Sequence, residues 1–329
     1  MARRRQSIQT ALKESIPQGC GVLVAYSGGK DSSVLLDALV RNSRLLKVRV
    51  EACHIDHALR PSSGDDAGFC TEVARQLGVE CHVATLGVRP QGANLEAWGR
   101  DQRYKVLREV RISRKLDWIV TAHTANDVAE TLLIRLFANK ELNSIERRDG
   151  QRRLMRPLLG VSRSQIEEYL SRHGLEFRED PTNADVTLVR NRIRHTLLPR
   201  LEQDFDPSMV WILAERAHGI ASDCDALQAL ASESAARLGG LQGGNPAWLT
   251  SCAQVLEQSP YGLQWRIAEA LTLPITGYRM GEKAACEVVG LLLGRVPSVQ
   301  LRAGITLSRD RFGLVWGPQR AKSSRLSEA

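Results

Sequence analysis

The chain has 329 residues, of which 43% are hydrophobic and 25% charged, and its formal net charge at pH 7 is +8. These proportions are those of an ordinary globular protein, which argues against a disordered or fibrous chain, and the positive charge favours a polyanionic partner. No apolar stretch approaches the length that spans a bilayer, and the basic N-terminus is not followed by an apolar core, so we expect a cytoplasmic protein without a membrane segment or secretory signal.

Short β-branched runs alternate with helical patterns between residues 20 and 125. The runs are "GVLVAYS", "VRVEACHID", "ECHVATLGV" and "DWIVTAH". Strands and helices in this alternation predict an α/β fold, with an open, mainly parallel sheet and helices on both faces. Ligands of such folds bind beyond the carboxyl ends of the strands. The chemically capable residues at those four ends are Ser27, Asp56, Gly87 with Arg89, and His123.

The remainder of the chain is mainly helical. Residues 139–153 are polar and predict an exposed basic loop, and a short extended piece and a helix capped by Ser162 follow. The pattern from about 205 to 294 is helical, and two β-type runs around "SRDR" predict a terminal β-hairpin. We therefore expect one domain over residues 1–205 and a smaller, mostly helical region over 206–329.

The stretch "SGGKDS" follows the first predicted strand and opens a helix. A glycine pair in this position lets backbone N–H groups surround phosphate oxygens, and the helix N-terminus adds positive potential. The stretch is not a Walker A loop, because Val24 stands where that loop needs glycine. The alternative is a tight turn without a ligand. The candidate phosphate-binding residues are Ser27, Gly28, Gly29, Lys30 and Ser32, with Asp31 as a candidate magnesium ligand.

Two further stretches contain side chains capable of chemistry. His54, Asp56 and His57 lie where the second strand ends, where they form either a binding cluster or a capped strand end. In "TAHTANDVAET", Asp127 and Glu130 are three residues apart on a predicted helix and so share one face. Two carboxylates in this arrangement could hold a cation or an amine, or they could simply be a solvated helix N-terminus.

Taken together, "SGGKDS", "HIDHALR" and "AHTANDVAET" resemble the N-type ATP pyrophosphatases, or PP-loop enzymes, in order and spacing. Within that superfamily the chain is most similar to the tRNA(Ile)-lysidine synthase family. The stretches "NLEAWGRDQRY" and "RPLL" look like signatures of that family. So does "EDPTNADVTLVRNRIRHTLLP", which is the most specific of the three. The resemblance covers roughly residues 20–200.

The resemblance implies a two-step ligation that uses ATP and Mg²⁺. The wobble cytidine of a tRNA(Ile) with a CAU anticodon is adenylated at its C2 oxygen, and pyrophosphate leaves. The side-chain amine of free L-lysine then attacks C2 and AMP leaves, which gives lysidine. The resemblance also makes residues 1–205 the PP-loop catalytic domain and residues 206–329 a tRNA-binding region, and it leaves a homodimer open.

The resemblance also implies roles for individual residues. His54, Asp56 and His57 join the Ser27–Ser32 stretch in binding ATP, and Asp31 holds the magnesium ion. Asp127 and Glu130 bind the lysine amine, and His123 or Glu130 accepts its proton. The catalytic set is thus Asp31, His123, Asp127 and Glu130. Contacts to the substrates, including tRNA phosphates, fall to Arg103, Arg190, Asn191, Arg192 and Arg194.

The chain departs from the family pattern at two places. Asn126 and Val128 replace an aspartate and a glutamine, and the glycine-rich stretch expected after Phe137 is missing. These departures leave room for a divergent tRNA-modifying paralogue with a different nucleophile. A PP-loop tRNA thiolase is a further alternative, although none of the seven cysteines forms the CxxC pair that sulfur delivery generally needs. A non-catalytic tRNA-binding protein is disfavoured by the retained carboxylates.

Overall fold

The computed structural model of the protein describes residues 6–56, 63–86, 95–138, 142, 144–179 and 187–318. The chain divides into two compact units, Met1–His218 and Gly219–Ala329. The division falls within the long helix Met209–Arg237, and the boundary predicted from the sequence lies just before that helix begins. The two units are described separately below.

The first unit contains nine helices in its described part, the last of which continues into the second unit. They are α1 (Ile8–Ser15), α2 (Lys30–Leu46), α3 (Ser63–Gln76), α4 (Leu95–Ser113), α5 (Ala125–Phe137), α6 (Arg163–His173), α7 (Val189–Arg192), α8 (Leu198–Asp204) and α9 (Met209–Arg237). A short π-helical turn, Ile193–Leu197, joins α7 to α8. The strands are β1 (Gly21–Ala25), β2 (Arg49–Asp56), β3 (Cys81–Thr85), β4 (Trp118–Val120), β5 (Arg148–Asp149) and β6 (Leu154–Met155).

In the described part of the unit, these six strands form one sheet in the order β3-β2-β1-β4-β6-β5. All neighbours are parallel except β5, which runs antiparallel to β6. Val22 of β1 pairs with Val50 of β2 on one side and with Trp118 of β4 on the other. The open, mainly parallel sheet predicted from the sequence is therefore confirmed. Part of the predicted basic loop forms β5, which at two residues is too short to show a periodic pattern.

Helices cover both faces of this sheet, as predicted. Side chains alternate along a strand, so Val22 and Val24 of β1 lie in one hydrophobic core and Leu23 in the other. The first core packs against residues of α1, α2 and α6, and the second receives Leu107 of α4. All three β1 valine and leucine side chains are fully buried, which makes β1 the central strand of the unit.

The second unit combines helices with a small sheet. After α9 come α10 (Pro246–Gln258), α11 (Tyr261–Thr276) and α12 (Gly281–Leu292), followed by β7 (Ser298–Gln300), β8 (Ile305–Asp310) and β9 (Gly313–Pro318). Strands β8 and β9 form the predicted terminal hairpin, which turns at Arg311 and Phe312, and the unpredicted β7 pairs with β8. Across the described parts of both units, none of the helices is long and apolar enough to cross a membrane.

A buried carboxylate links the β2–β3 edge of the sheet to α4. Glu51 on β2 accepts a hydrogen bond of 2.8 Å from His82 on β3 and one of 3.0 Å from Arg114, which follows α4. Burial alone would raise the pKa of Glu51, but these hydrogen bonds and the charges of Arg114 and Arg49 lower it below its ordinary value. Glu51, Glu80 and His82 are close enough to surround a cation, yet Arg114 already pairs with both carboxylates. The cluster is therefore structural.

We predict that Glu51→Gln lowers the free energy of unfolding at neutral pH by about 1–3 kcal/mol, because the charged hydrogen bonds are lost. The pKa of Glu51 is lower in the folded state than the ordinary 4.5, so its contribution is complete above that pH and is lost as the pH falls below it. Chemical denaturation across this range should show the variant and the wild type converging in acid. Glu80→Gln, at a more exposed carboxylate, is the control, and a pH-independent difference for Glu51→Gln would contradict this account.

Candidate active site

The carboxyl ends of neighbouring strands bring the sequence motifs to one edge of the sheet. Strand β1 leads into residues 27–32, β4 leads into residues 121–124, and β6 leads into Arg156. The end of β2 is attached to the end of β1, because Nδ1 of the buried His54 lies 3.0 Å from the carbonyl oxygen of Tyr26. This contact with His54 thus fixes the backbone just before the glycine loop. This edge is where a parallel sheet binds its ligands.

Glycine occupies positions 28 and 29 for two different physical reasons. Gly28 has a φ of 79°, a left-handed conformation that other residues rarely adopt. A Cβ atom at this position would also lie 3.0 Å from Sγ of Cys70 on α3. Gly29 is the N-cap of α2 and has an extended backbone, with no side-chain cap for the helix. The first N–H groups of α2 are therefore available to an anion.

The hydroxyl groups of the loop are directed towards one another. Oγ of Ser27 and Oγ of Ser32 lie 3.0 Å apart, and the backbone N–H of Gly29 donates to Oγ of Ser27 over 3.3 Å. Oγ of Ser32 also lies 3.0 Å from the carbonyl oxygen of Gly29. The donors predicted to bind phosphate are thus gathered within one turn of chain.

Lys30 contacts the segment that follows α6. Its Nζ lies 3.0 Å from Oε1 of Glu179 and 5.1 Å from the centre of the Phe177 ring. The backbone N–H of Arg178 donates to the carbonyl oxygen of Gly28 over 2.9 Å. The glycine loop is therefore packed against residues that are about 150 positions away in the sequence.

Helix α5 presents the predicted acidic pair. Thr124 is its N-cap, and Asp127 completes a capping box in which Oδ2 accepts hydrogen bonds from the backbone N–H and Oγ1 of Thr124. Glu130 lies one turn further along the helix and is 0% exposed. A carboxylate buried this completely needs positive partners.

Two arginines provide those partners. Arg194 donates from Nε to Oε1 of Glu130 over 2.6 Å and from Nη2 to Oε2 over 3.0 Å. Arg190 donates from Nε to Oε2 over 3.1 Å. Nη2 of Arg194 also lies 3.3 Å from Oδ1 of Asp127. Two residues predicted to bind tRNA thus contact the two residues predicted to bind lysine.

Asp31, the candidate magnesium ligand, lies within electrostatic reach of this network. Burial, together with the negative charge of Asp127, raises its pKa to about 6, against opposing effects of Arg163 and Arg194. Three carboxyl groups, those of Asp31, Asp127 and Glu130, therefore share one region. Both oxygens of Glu130 are occupied by arginine N–H groups, so Asp31 and Asp127 are the members that could face an Mg²⁺ ion, whose charge would relieve their repulsion.

His123 is neutral over the physiological pH range. Burial lowers its pKa to about 4, which outweighs the opposite effect of Asp127, and the positive charges of Arg156, Arg190 and Arg100 lower it further. Its Nδ1 lies 2.9 Å from Oγ1 of Thr121, which fixes the orientation of the ring. A neutral, oriented imidazole can accept a proton.

The remaining predicted site residues are less closely grouped. Asp56 ends β2, and His57 lies outside the described residues, as do Gly87 and Arg89. Arg103 on α4 and Arg192 on α7 are exposed, whereas Asn191 is buried. Of the proposed tRNA contacts, Arg103, Arg190 and Arg192 are thus exposed, and of these three Arg190 is already paired with Glu130.

The two departures from the family pattern are accommodated by the fold. Oδ1 of Asn126 accepts a hydrogen bond of 2.9 Å from the backbone N–H of Arg163, which attaches the start of α5 to the start of α6. Val128 is 1% exposed and belongs to the hydrophobic interior. Residues 139–141 and 143, within the loop that replaces the glycine-rich stretch, lie outside the described residues.

Three arginines were not among the predicted site residues. Arg163 acts on Asp31, and Arg100 and Arg156 act on His123. Arg100 and Arg156 lie within quoted sequence signatures, but nothing in those stretches indicates which way the side chains point. Only the three-dimensional structure shows that these arginines lie near Asp31 and His123.

We predict that Glu130→Gln lowers the free energy of unfolding by about 3–5 kcal/mol, because Arg190 and Arg194 lose a buried counter-charge. Glu179→Gln is the matched control, since its pair with Lys30 is exposed and should contribute no more than about 1 kcal/mol. Urea denaturation of both variants measures the difference. Similar, small losses for the two variants would show that the buried network is not a stability determinant.

Comparison with known proteins finds relatives by sequence. Proteins named tRNA(Ile)-lysidine synthase are 35% identical in Clostridium perfringens and 40% identical in Deinococcus deserti, over 222 and 217 residues. These matches cover 65% and 64% of this chain but 47% and 39% of those proteins. The chain therefore matches less than half the length of these two curated relatives.

Among solved structures, the fold is similar to that of a U34-tRNA thiolase, NcsA of Methanococcus maripaludis, which was determined with its [4Fe-4S] cluster. The TM-score is 0.57 at 15% sequence identity, with 65% of this chain and 78% of that chain covered. The PP-loop domain family matches residues 2–201, which contain the glycine loop, the acidic helix and the paired arginines. The chain belongs to the PP-loop domain family.

Proposed function

We propose that the protein ligates free L-lysine to C2 of the wobble cytidine of a tRNA(Ile) with a CAU anticodon, with ATP as the activating substrate. The observation that carries this proposal is that a candidate phosphate-binding loop, a neutral histidine and an acidic helix lie together beyond the carboxyl ends of β1 and β4. The names and the 35–40% identity of the relatives support it. In this reaction the C2 oxygen attacks the α-phosphorus and pyrophosphate leaves, after which the lysine amine attacks C2 and AMP leaves.

The glycine loop would hold the departing pyrophosphate. The hydroxyls of Ser27 and Ser32 and the first N–H groups of α2 are donors within one turn of chain. Lys30 is paired with Glu179, whose side chain is 73% exposed, and an exposed pair of this kind contributes little. Its ammonium group can therefore exchange Glu179 for a phosphate oxygen at small cost.

A magnesium ion would be held by Asp31, with Asp127 as the neighbouring carboxylate. The repulsion between these two groups, which contributes to the raised pKa of Asp31, is the feature of this chain that a cation relieves. When bound, Mg²⁺ would supply positive charge for the phosphate groups as negative charge develops on them.

The lysine ammonium group would bind at Asp127. Of the acidic pair, Asp127 is the accessible member, with a side chain 16% exposed, whereas Glu130 is fully buried and engaged by two guanidinium groups. Glu130 then supplies the negative charge that holds Arg190 and Arg194 in place. A direct contact between lysine and Glu130 would require one of those arginines to move.

The attacking amine must lose a proton, and His123 is the group that suits this step. Its pKa of about 4 makes it a weak base, but the ring is unprotonated at neutral pH, and its lone pair can accept the proton as the new C–N bond makes the amine acidic. Glu130, the other candidate, has both oxygens occupied by arginine N–H groups. We therefore place the proton acceptor at His123.

Sulfur transfer is the alternative that the structural similarity to a thiolase raises. Burial raises the pKa of Cys53, Cys70 and Cys252 to about 12, so these thiols are not thiolates at neutral pH. A buried neutral thiol is a poor nucleophile and a poor ligand for a cluster. The seven cysteines are all free thiols. These properties argue against Cys53, Cys70 and Cys252 as sulfur carriers.

We predict that radiolabelled L-lysine, incubated with the protein, ATP and Mg²⁺, is transferred to CAU-anticodon isoleucine tRNA. The methionine tRNA with the same anticodon is the control and should remain unlabelled. Formation of AMP without lysine transfer would keep the activation step and exclude lysine as the nucleophile. Absence of both products would contradict the proposed function.

We predict that Asp31→Ala reduces tRNA-dependent release of AMP and pyrophosphate at least about 100-fold, the scale expected when a charge-stabilising group is lost. Binding of tRNA, measured by filter retention, should remain close to that of the wild type, because Asp31 is partly buried and negatively charged. A variant that still adenylates tRNA at the wild-type rate would show that Asp31 is not the metal ligand.

A further inference from the structure

Arg156 is a buried cation with no carboxylate partner in the described part of the chain. Only 5% of the residue is exposed. Nη1 donates to the carbonyl oxygen of Glu146 over 2.6 Å, and Nε has no hydrogen-bond partner. A neutral carbonyl does not balance a buried charge, whose desolvation costs several kcal/mol unless an anion pairs with it. The site is therefore incomplete without an anion.

The sheet places the backbone of Arg156 beside the segment that leads to the proposed proton acceptor, and the charge of Arg156 acts on His123. Val120 of β4 pairs with Met155 of β6, and the backbone N–H of Thr121 donates to the carbonyl oxygen of Met155 over 3.0 Å. Arg156 is thus next to Thr121, whose Oγ1 lies 2.9 Å from Nδ1 of His123. The position of its backbone is fixed on the other side by a hydrogen bond of 2.9 Å to the carbonyl oxygen of Arg147.

The substrates of the proposed function offer phosphate groups and one carboxylate as anions. Phosphate groups of ATP already have the loop after β1, and β4 lies between that strand and the β6 end that Arg156 follows. A tRNA backbone suits exposed cations such as Arg103 and Arg192, since a polymer cannot easily reach a side chain that is 5% exposed. The small anion that remains is the α-carboxylate of free lysine.

We propose that Arg156 binds the α-carboxylate of the lysine substrate and so makes the site specific for the amino acid rather than for a simple amine. This inference rests on the proposed function. The substrate would lie with its side-chain amine at Asp127 and its carboxylate at Arg156, on either side of His123. The planar guanidinium group matches a carboxylate with paired N–H donors, which an ammonium group does not.

The test compares L-lysine with cadaverine, which has the same side-chain amine but no carboxylate. Transfer of each radiolabelled amine to CAU-anticodon isoleucine tRNA is measured for the wild type, Arg156→Met and Arg156→Lys. We expect the wild type to prefer lysine strongly. Arg156→Met should reduce kcat/KM for lysine about 10- to 100-fold more than that for cadaverine, since one charged hydrogen-bonded contact is lost for lysine alone. Any change transmitted through the pKa of His123 falls on both amines alike. Arg156→Lys should give an intermediate preference.

Arg153→Met is the matched control, because Arg153 lies exposed on the same hairpin and stacks on Trp118. It should leave the preference unchanged. Equal losses for lysine and cadaverine in Arg156→Met, or a raised KM for ATP or tRNA with an unchanged preference, would overturn the proposal.

The stability of Arg156→Met gives an independent readout. In the absence of substrates the variant should unfold at the same temperature as the wild type or higher, since an unpaired buried charge is removed. A marked loss of stability would assign Arg156 a structural role through Glu146 instead. Failure of the proposed function itself is distinguishable, because then the wild type transfers neither amine.

Discussion

Glu130 carries a negative charge at a position that water does not reach, and the arrangement of the crevice depends on how that charge is balanced. Arg194 binds both of its oxygens and Arg190 binds one, which attaches α5 to the segment Val189–Leu197. Arg194 then reaches Asp127, and Asp127 in turn acts on Asp31 and His123. The buried Glu130 and its two arginines therefore link the acidic helix to Asp31, the proposed metal ligand, and to His123, the proposed proton acceptor.

Alternation of charge along the sheet edge is a second consequence of this arrangement. Carboxylates gather near the ends of β1 and β4, and arginines surround them from α4, α6, α7 and the end of β6. Each charged side chain is partly neutralised by its neighbours. A charged group of a substrate can therefore replace an internal partner of the same sign, whether that group is positive or negative. Of the proposed substrates, lysine carries both signs itself, whereas the phosphate groups of ATP carry negative charge only and would use the cationic partners.

Much of the fold was predictable from the sequence, because strands β1 to β4 are β-branched runs with long amphipathic helices between them. The terminal hairpin had the same kind of signal. Strand β6 coincides with the short extended piece predicted before the helix that Ser162 caps, whereas β5 and β7, of two and three residues, were not predicted because neither lies in a longer β-type run of its own. The sequence motifs supplied the candidate site residues but not their pairing, which only the structure shows. The contact between Glu130 and Arg190 joins residues 60 positions apart, and the burial of Arg156 depends on its neighbours in the sheet.

The long sequence separation between paired residues also affects the order in which the chain can fold during its synthesis. The central strand β1 can pair with β2 early, but its other edge stays open until β4 has been made, almost 100 residues later. Burial of Glu130 must wait longer still, until the segment that contains Arg190 and Arg194 has left the ribosome. Before that point, closing the crevice would bury an unpaired charge. The first unit is therefore expected to complete its folding only after nearly all of it has emerged.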